Sequence, residues 1–424
     1  MESIPEQAAC ALPRFSDGTI NMQELLRQLA ESVVNEVMSA EADELCGASG
    51  NSRNGYRERR LATCVGTLTP RIPKLRTGSF FPEDVVERYQ RVDRALVSAV
   101  AEMYATGTST RKVQRVAEKM GVSRLSKDQA SSIARSLDAD VEELPSRDLG
   151  AARTPHLWLD ATYVKCRRDG RVASTAVVTA IGCDEHGWRR VLGASVVDTE
   201  SYGSWLAFLR SVRERGVTGV RLVTSDAHEG LRRAVQEVFQ GAAWQRCAVH
   251  LMRDCVRAAG TRSLARRVAG IVAPVFRAKD AAAVRAMYHL AADMLRECCP
   301  KAADVWEGAE ADALAYLDFP ASHWKRLRTN NLQERTNREI KRRSRAVQVF
   351  PSVRSLERLV GAVMCEQDEA WSDARYFSEG KISELYESRP ASEPPTGERA
   401  AELRGMARKA IEASLELADG MEAA

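Results

Sequence analysis

Near residue 152 the hydrophobic period of the chain shortens from that of helices to that of strands, and the order of the elements beyond that point admits few folds. HLWLDATYVKC, RVASTAVVTAIGCD and WRRVLGASVVD read as three consecutive strands, with turns at Arg168-Asp169-Gly170 and Asp184-Glu185-His186-Gly187. SYGSWLAFLRSVRERG is then an amphipathic helix, VRLVTSD a short buried strand, HEGLRRAVQEVFQG a helix and AAWQRCAV a fifth strand. Three hairpin-linked strands followed by two that alternate with helices describe a mixed five-stranded sheet. A doubly wound parallel sheet would need a crossover between every pair of strands.

This order is the ribonuclease-H-like arrangement, so the expected fold is an α/β core built on that sheet. Its first part would span 152–250, an all-helical insertion 251–327, and a helix completing the core 328–350. The 424 residues exceed one ordinary core, and further modules are expected on either side. Within residues 1–50, NMQELLRQLAESVVNEVMSAEADELCG carries helical periodicity with no Pro or Gly until its end, and 51–82 form a small basic module in which the alternation of TLTPRIPKLR suits a strand pair. Residues 83–148 return to helix in three pieces, the layout of a helix-turn-helix reader. Ser123 or Ser126 would cap the last helix and Lys127, Asp128 and Gln129 would face a major groove. Pattern alone leaves an ordinary helical hairpin as an equal reading. Residues 351–424 read as helices and a loose linker, a dispensable tail without chemistry.

Three acids fall at matching points of this topology. Asp160 lies in the first strand, Asp226 ends the fourth, and Glu334 lies on the helix after the insertion. Carboxylates on neighbouring elements suit a pair of hard divalent cations, which take oxygen ligands and straddle one phosphate during phosphodiester cleavage. Clustered as bare acids they would repel by about 4 kcal/mol per close pair at an effective dielectric near 20. Asp226 taken alone reads more readily as a turn or helix cap. Asp169, Asp184, Asp198 and Glu229 lie in turns or off the expected strand ends, which leaves Glu339, five residues past Glu334, as the main rival for the third position.

The segments RNGYRERRL, IPKLRTGSFFP, LDATYVK, VTSDAHEGL, QRCAVH and NNLQERTNREIKRR, spread from about residue 50 to 345, resemble those of the Mutator-type bacterial insertion-sequence transposases. The resemblance implies a DDE transposase whose triad is Asp160, Asp226 and Glu334, holding two Mg²⁺ or Mn²⁺ ions. Lys341, two helical turns past Glu334, would touch a backbone phosphate near the cut. It further implies cleavage at element ends, 3′-hydroxyl strand transfer, and a route through a circular intermediate. The family's C-x-x-H appears as Cys247 and His250. Two ligands do not make a zinc site, whereas His250, at the start of a helix beside the fourth strand, would reach toward the scissile phosphate, with a structural helix cap as the plainer alternative.

Partners follow from charge placed unevenly around a net of only +4. Residues 53–76 carry Arg53, Arg57, Arg59, Arg60, Arg71, Lys74 and Arg76 against Glu58, and 325–345 carry nine Lys or Arg against Glu334 and Glu339. Arg53, Arg57, Arg59 and Arg60, with Lys127 and Gln129, are candidate contacts to double-stranded DNA. So are Lys325, Arg326, Arg335, Arg338, Lys341, Arg342 and Arg343 in the second segment; any single basic run also fits a solvated face. Aromatics of the insertion would grip distorted DNA in related transposases, but packing is the better reading for Trp306 and Trp324. The expected DNA partners are terminal inverted repeats and a target, held by a homodimer or larger assembly. No apolar run spans a membrane and no signal peptide is evident, so a cytoplasmic location is expected, with the ten scattered cysteines reduced. Two other functions compete: a ribonuclease-H-like nuclease or junction resolvase that cuts without joining, and a repressor that binds repeats without cutting.

Overall fold

The computed structural model describes residues 12–78, 80, 94–105, 108, 110–122, 143–387 and 395–420. The chain divides into two compact units, Met1–Asp138 and Ala139–Ala424. No helix among the described residues is long and apolar enough to cross a membrane.

The first unit begins with the helix Met22–Ser49, capped by the Asn21 side chain on Glu24 N–H and closed by Gly50 in the left-handed region. Its Val34, Met38 and Ala42 pack on Ile72, Leu75 and Phe80. Strand β1 (Arg53–Glu58) pairs antiparallel with β4 (Arg71–Leu75), and β2 (Leu61–Thr63) with β3 (Gly66–Leu68). TLTPRIPKLR therefore does not fold on itself: its two strands pair with earlier segments. In the two-residue link, Pro70 excludes a type I′ turn by its fixed negative φ, and β-branched Thr69 disfavours the positive φ that type II′ needs. Helices Arg94–Ala105 and Thr110–Lys119 pack through Leu96, Val100, Val113 and Ala117. Ser123, Ser126, Lys127 and Gln129, the expected groove-reading helix, lie outside the described residues.

The second unit holds the mixed sheet expected from the strand order. Strands β5 (His156–Arg168), β6 (Arg171–Cys183), β7 (Arg189–Val197), β8 (Leu222–Ser225) and β9 (Ala243–Arg246) lie in the order β7-β6-β5-β8-β9. The first three are antiparallel, and β8 and β9 run parallel to β5. Period two decides what each face buries. Leu157 and Leu159 point into a cluster with Trp205, Leu209, Leu231 and Val235 of the helices Tyr202–Glu214 and Glu229–Val238. Trp158, Val164 and Cys166 face a larger cluster shared with the helices that follow β9.

Those helices run from Ala248–Ala258 to Trp324–Leu327, and their centre is Trp306, fully buried and stacked on Tyr288 with centroids 4.3 Å apart. Trp324 is buried too, donating to Phe319 O, so both tryptophans pack as expected. The helix Asn331–Val347 then crosses β5, and Phe350 extends the sheet beside Cys166, exchanging backbone bonds with Lys165 and Arg167.

The expected dispensable tail is instead part of this core. Leu356, Leu359, Val363, Phe377 and Ile411 belong to the same buried cluster as Trp158. Gly187, at φ +84 in the β6–β7 turn, accepts Tyr376 and Phe377 N–H on its carbonyl, and a Cβ there would sit 2.1 Å from Phe377 O. The polar, loose look of residues 388–396 conceals that the helices on either side carry apolar faces with nowhere else to go.

Candidate active site

Strand register brings the acids together. β5 and β8 pair in parallel at Trp158 and Thr224, and two further steps along each strand bring Asp160 level with Asp226. β8 and β9 pair last at Ser225 and Arg246, so Asp226 and Cys247 leave the sheet side by side. His250, in the first turn of the helix capped by Cys247, turns back so that its Nδ1 lies 2.5 Å from Asp226 Oδ1. Period two places Asp160 on the face of Trp158, under the helix Asn331–Val347.

Polar side chains hold that helix down. Asn330 Nδ2 donates to Leu159 O at 2.9 Å, and Gln333 Nε2 donates to Trp158 O at 2.6 Å while its Oε1 accepts from Thr179 Oγ1. Asn337 Nδ2 donates to Asp160 Oδ2 at 2.7 Å. Spaced three and four apart, these residues form one buried polar stripe. Glu334 and Lys341 stand beside it, at the cleft. None of the three amides is among the residues expected at the site, although the spacing of NNLQERTN carries the signal.

Asp160, Asp226, His250, Glu334 and Lys341 line one cleft of about 750 Å³, together with Arg253, Arg335, Arg338, Arg342 and Arg345. Asp160 is 9% exposed. Burial, and then the neighbouring Asp226 carboxylate, push its carboxyl up to about 7, against bonds from Ala161 N–H and Asn337. Contact with Asp226, then with Cys247, lifts the His250 imidazolium to about 10. Arg253, unforeseen in the sequence though one turn past His250, donates to Glu334 Oε1 at 3.0 Å and sits 3.2 Å from His250 Nε2.

Glu339 lines the same cleft, paired there with arginines. Arg342, then Arg343, hold its carboxyl down to about 2, and Arg343 also pairs with Glu366. Arg343 is 3% exposed, so it ties the helix to Val353–Trp371, and a DNA contact does not fit that placement. With Glu334 as the third acid, Glu339→Gln is expected to leave cutting within about threefold. It should cost about 1–2 kcal/mol, read by urea denaturation, because buried Arg343 then keeps one carboxylate instead of two.

The remaining candidates scatter. Lys325 is exposed and Arg326 stacks on Tyr376 and Phe377 at 4.8 and 5.0 Å; neither lines the cleft. In the first unit Arg57 and Arg60 are exposed and Arg59 half-buried, whereas Arg53 donates to Ser39 O and pairs with Asp43, clamping β1 to the first helix.

The profile of the Mutator family of transposases matches residues 7–374. The chain is 40% identical to the transposase for insertion sequence element IS1081 of Mycobacterium tuberculosis, over 84% of this chain and 87% of that protein. It is 36% identical to the transposase for IS406 of Burkholderia multivorans, over 89% and 98%. It is likewise 36% identical to the transposase for IS256 in transposon Tn4001 of Staphylococcus aureus, over 84% and 91%. Agreement over this length covers both units of the chain, and the protein belongs to the Mutator family of transposases.

Proposed function

We propose that this transposase cuts and joins insertion-sequence DNA at the cleft between β5, β8 and the helix Asn331–Val347, on a core of ribonuclease-H-like type. The observation that carries the reading is the convergence of Asp160, Asp226, Glu334 and Lys341 on one basic-rimmed cleft. The donor set fits two divalent cations, Mg²⁺ or Mn²⁺: it offers hard oxygens, one on a carboxyl whose charge burial and a second acid disfavour and a cation would favour. Cations bound there would polarise the scissile phosphate and activate the attacking oxygen.

The chain's own residues do the rest. Glu334 closes the set from the helix, and Lys341, Arg338 and Arg342 hold backbone phosphates along the cleft. His250, its positive form favoured by Asp226, offers a proton toward a phosphate oxygen. The 3′-hydroxyl freed by the first cut then attacks a second phosphodiester in the same site. The first unit, with exposed Arg57 and Arg60, would bind the terminal inverted repeats, and joining two ends calls for a dimer or larger assembly on DNA.

The test is cleavage of DNA carrying the element's own ends, followed by strand transfer from a pre-cut end. Loss of both reactions in Asp226→Asn and Glu334→Gln, with end binding retained, supports the reading. Cutting without joining by the wild type would make the protein a nuclease, and cutting by either variant would sink the triad.

Asn337 offers a finer check. Removing its amide from Asp160 in Asn337→Ala should slow cleavage about 10–100-fold at low Mg²⁺, the usual cost of losing a partner that orients a ligand. Raising Mg²⁺ should recover part of the loss, and a rate indifferent to Mg²⁺ concentration would contradict the assigned role.

A further inference from the structure

Beside the cleft lies a buried donor that oxygen-loving cations do not use. Asp226, Cys247 and His250 each offer one ligand atom, and these three atoms lie within 4.8 Å of one another. His250 Nδ1 and Asp226 Oδ1 are both buried, and although 2.5 Å apart neither has a well-directed hydrogen bond. They face each other as an ion pair, and a cation entering there would take the place of the proton between them. Cys247 is 1% exposed, begins a helix, and accepts Asn330 N–H on its sulfur at 3.3 Å. Sulfur and imidazole with one carboxylate suit Zn²⁺ far better than Mg²⁺, and divalent affinities at such sites favour the later metals.

We propose that Asp226, Cys247 and His250 form a site for a thiophilic divalent cation of the Zn²⁺ class, and that filling it shuts the cleft down. Three protein ligands leave a fourth position open, and Glu334 Oε1 stands nearby, 3.9 Å from Nε2, the His250 nitrogen that does not face Asp226. Binding releases two protons, one from the Cys247 thiol and one from the His250 imidazolium, and draws Asp226 out of the oxygen-ligand set. That inhibition rests on the proposed function, whereas the binding itself does not. Cys247 and His250 alone, the pair visible in sequence, are too few for zinc; strand register supplies the third ligand, because Asp226 and Cys247 leave adjacent parallel strands together.

The experiment titrates the metal-free full-length protein with Co²⁺, whose bond to a thiolate gives a near-ultraviolet charge-transfer band. The band should saturate at one Co²⁺ per chain, yield to Zn²⁺, and be absent in Cys247→Ser. In His250→Ala the affinity should fall at least about 100-fold, more than loss of an outer-shell partner costs. That half-exposed position keeps the proposal testable if the buried Cys247 variant misfolds. Asp160→Asn should keep the band. In the cleavage arm, one equivalent of Zn²⁺ should stop Mg²⁺-driven cutting by the wild type while Cys247→Ser holds its own rate. Absence of the band in the folded wild type, its survival in Cys247→Ser, or an unchanged Co²⁺ affinity in His250→Ala overturns the site. Cutting by Asp160→Asn would instead overturn the functional reading and leave the band untouched.

Discussion

Asp160→Asn is expected to lose DNA cleavage by at least about 1,000-fold and, without metal, to be more stable than the wild type above pH 7. Each catalytic cation supplies several kcal/mol of transition-state stabilisation, and about 1.4 kcal/mol is a factor of ten, so losing one places the defect in that range. The stability gain follows from the same burial. In the folded chain the Asp160 carboxyl titrates near 7, against 3.8 for an unhindered aspartate, because burial and Asp226 both disfavour its charge. Below pH 3.8 folded and unfolded forms are both protonated there, and the group leaves stability unchanged. Between that value and 7 the unfolded chain gives up a proton that the folded chain keeps. Stability then falls by up to about 1.4 kcal/mol per pH unit, on the order of 4 kcal/mol in total. Above 7 the loss is complete. An amide carries no such charge, so the variant should melt higher than wild type at pH 8 and equal to it near pH 4. Mg²⁺ should narrow the gap at pH 8 by stabilising only the wild type. Calorimetry at the two pH values, with and without Mg²⁺, checks this; a variant less stable than wild type at pH 8 would show that Asp160 is an ordinary structural acid.

Truncation after Phe350 should leave no folded second unit. It removes Leu356, Leu359, Val360, Val363, Met364 and Phe377, each buried in the cluster that also holds Trp158 and Trp306. At about 1.5–3 kcal/mol for each buried apolar side chain, the loss equals or exceeds the 5–15 kcal/mol by which domains are stable. It also strips Arg343 of Glu366 and Gly187 of its two amide donors. Far-ultraviolet circular dichroism and solubility of the 1–350 fragment are the measurements. A soluble fragment with a cooperative melt would mean that the C-terminal helices cover the core without building it.

The sheet is legible in the sequence because its strands obey period two over long runs and its turns are marked by Gly and Asp. The thirteen-residue β5 and β6 align register for register as HLWLDATYVKC and RVASTAVVTAIGC suggest. The acids are legible for the same reason: strand ends are visible in sequence, and a parallel register carries Asp160 and Asp226 to one level. Glu334 separates from Glu339 only in three dimensions, where Arg342 and Arg343 claim the second acid.

The contacts that escape the sequence are of one kind. Asn337 on Asp160, Arg253 on Glu334, and Asp226 beside Cys247 join residues from 21 to 177 positions apart, and no local period encodes them. Arg343 reads as one more cation in a basic run until burial pairs it twice. The C-terminal helices read as a tail until the insertion and the sheet offer them an apolar surface. Element type and strand order are written in short-range hydrophobic period and turn chemistry, which one chain displays in full. Which polar groups meet, which charges are buried and which helices are indispensable are settled by packing, because desolvation and pairing depend on neighbours that only the folded chain assembles.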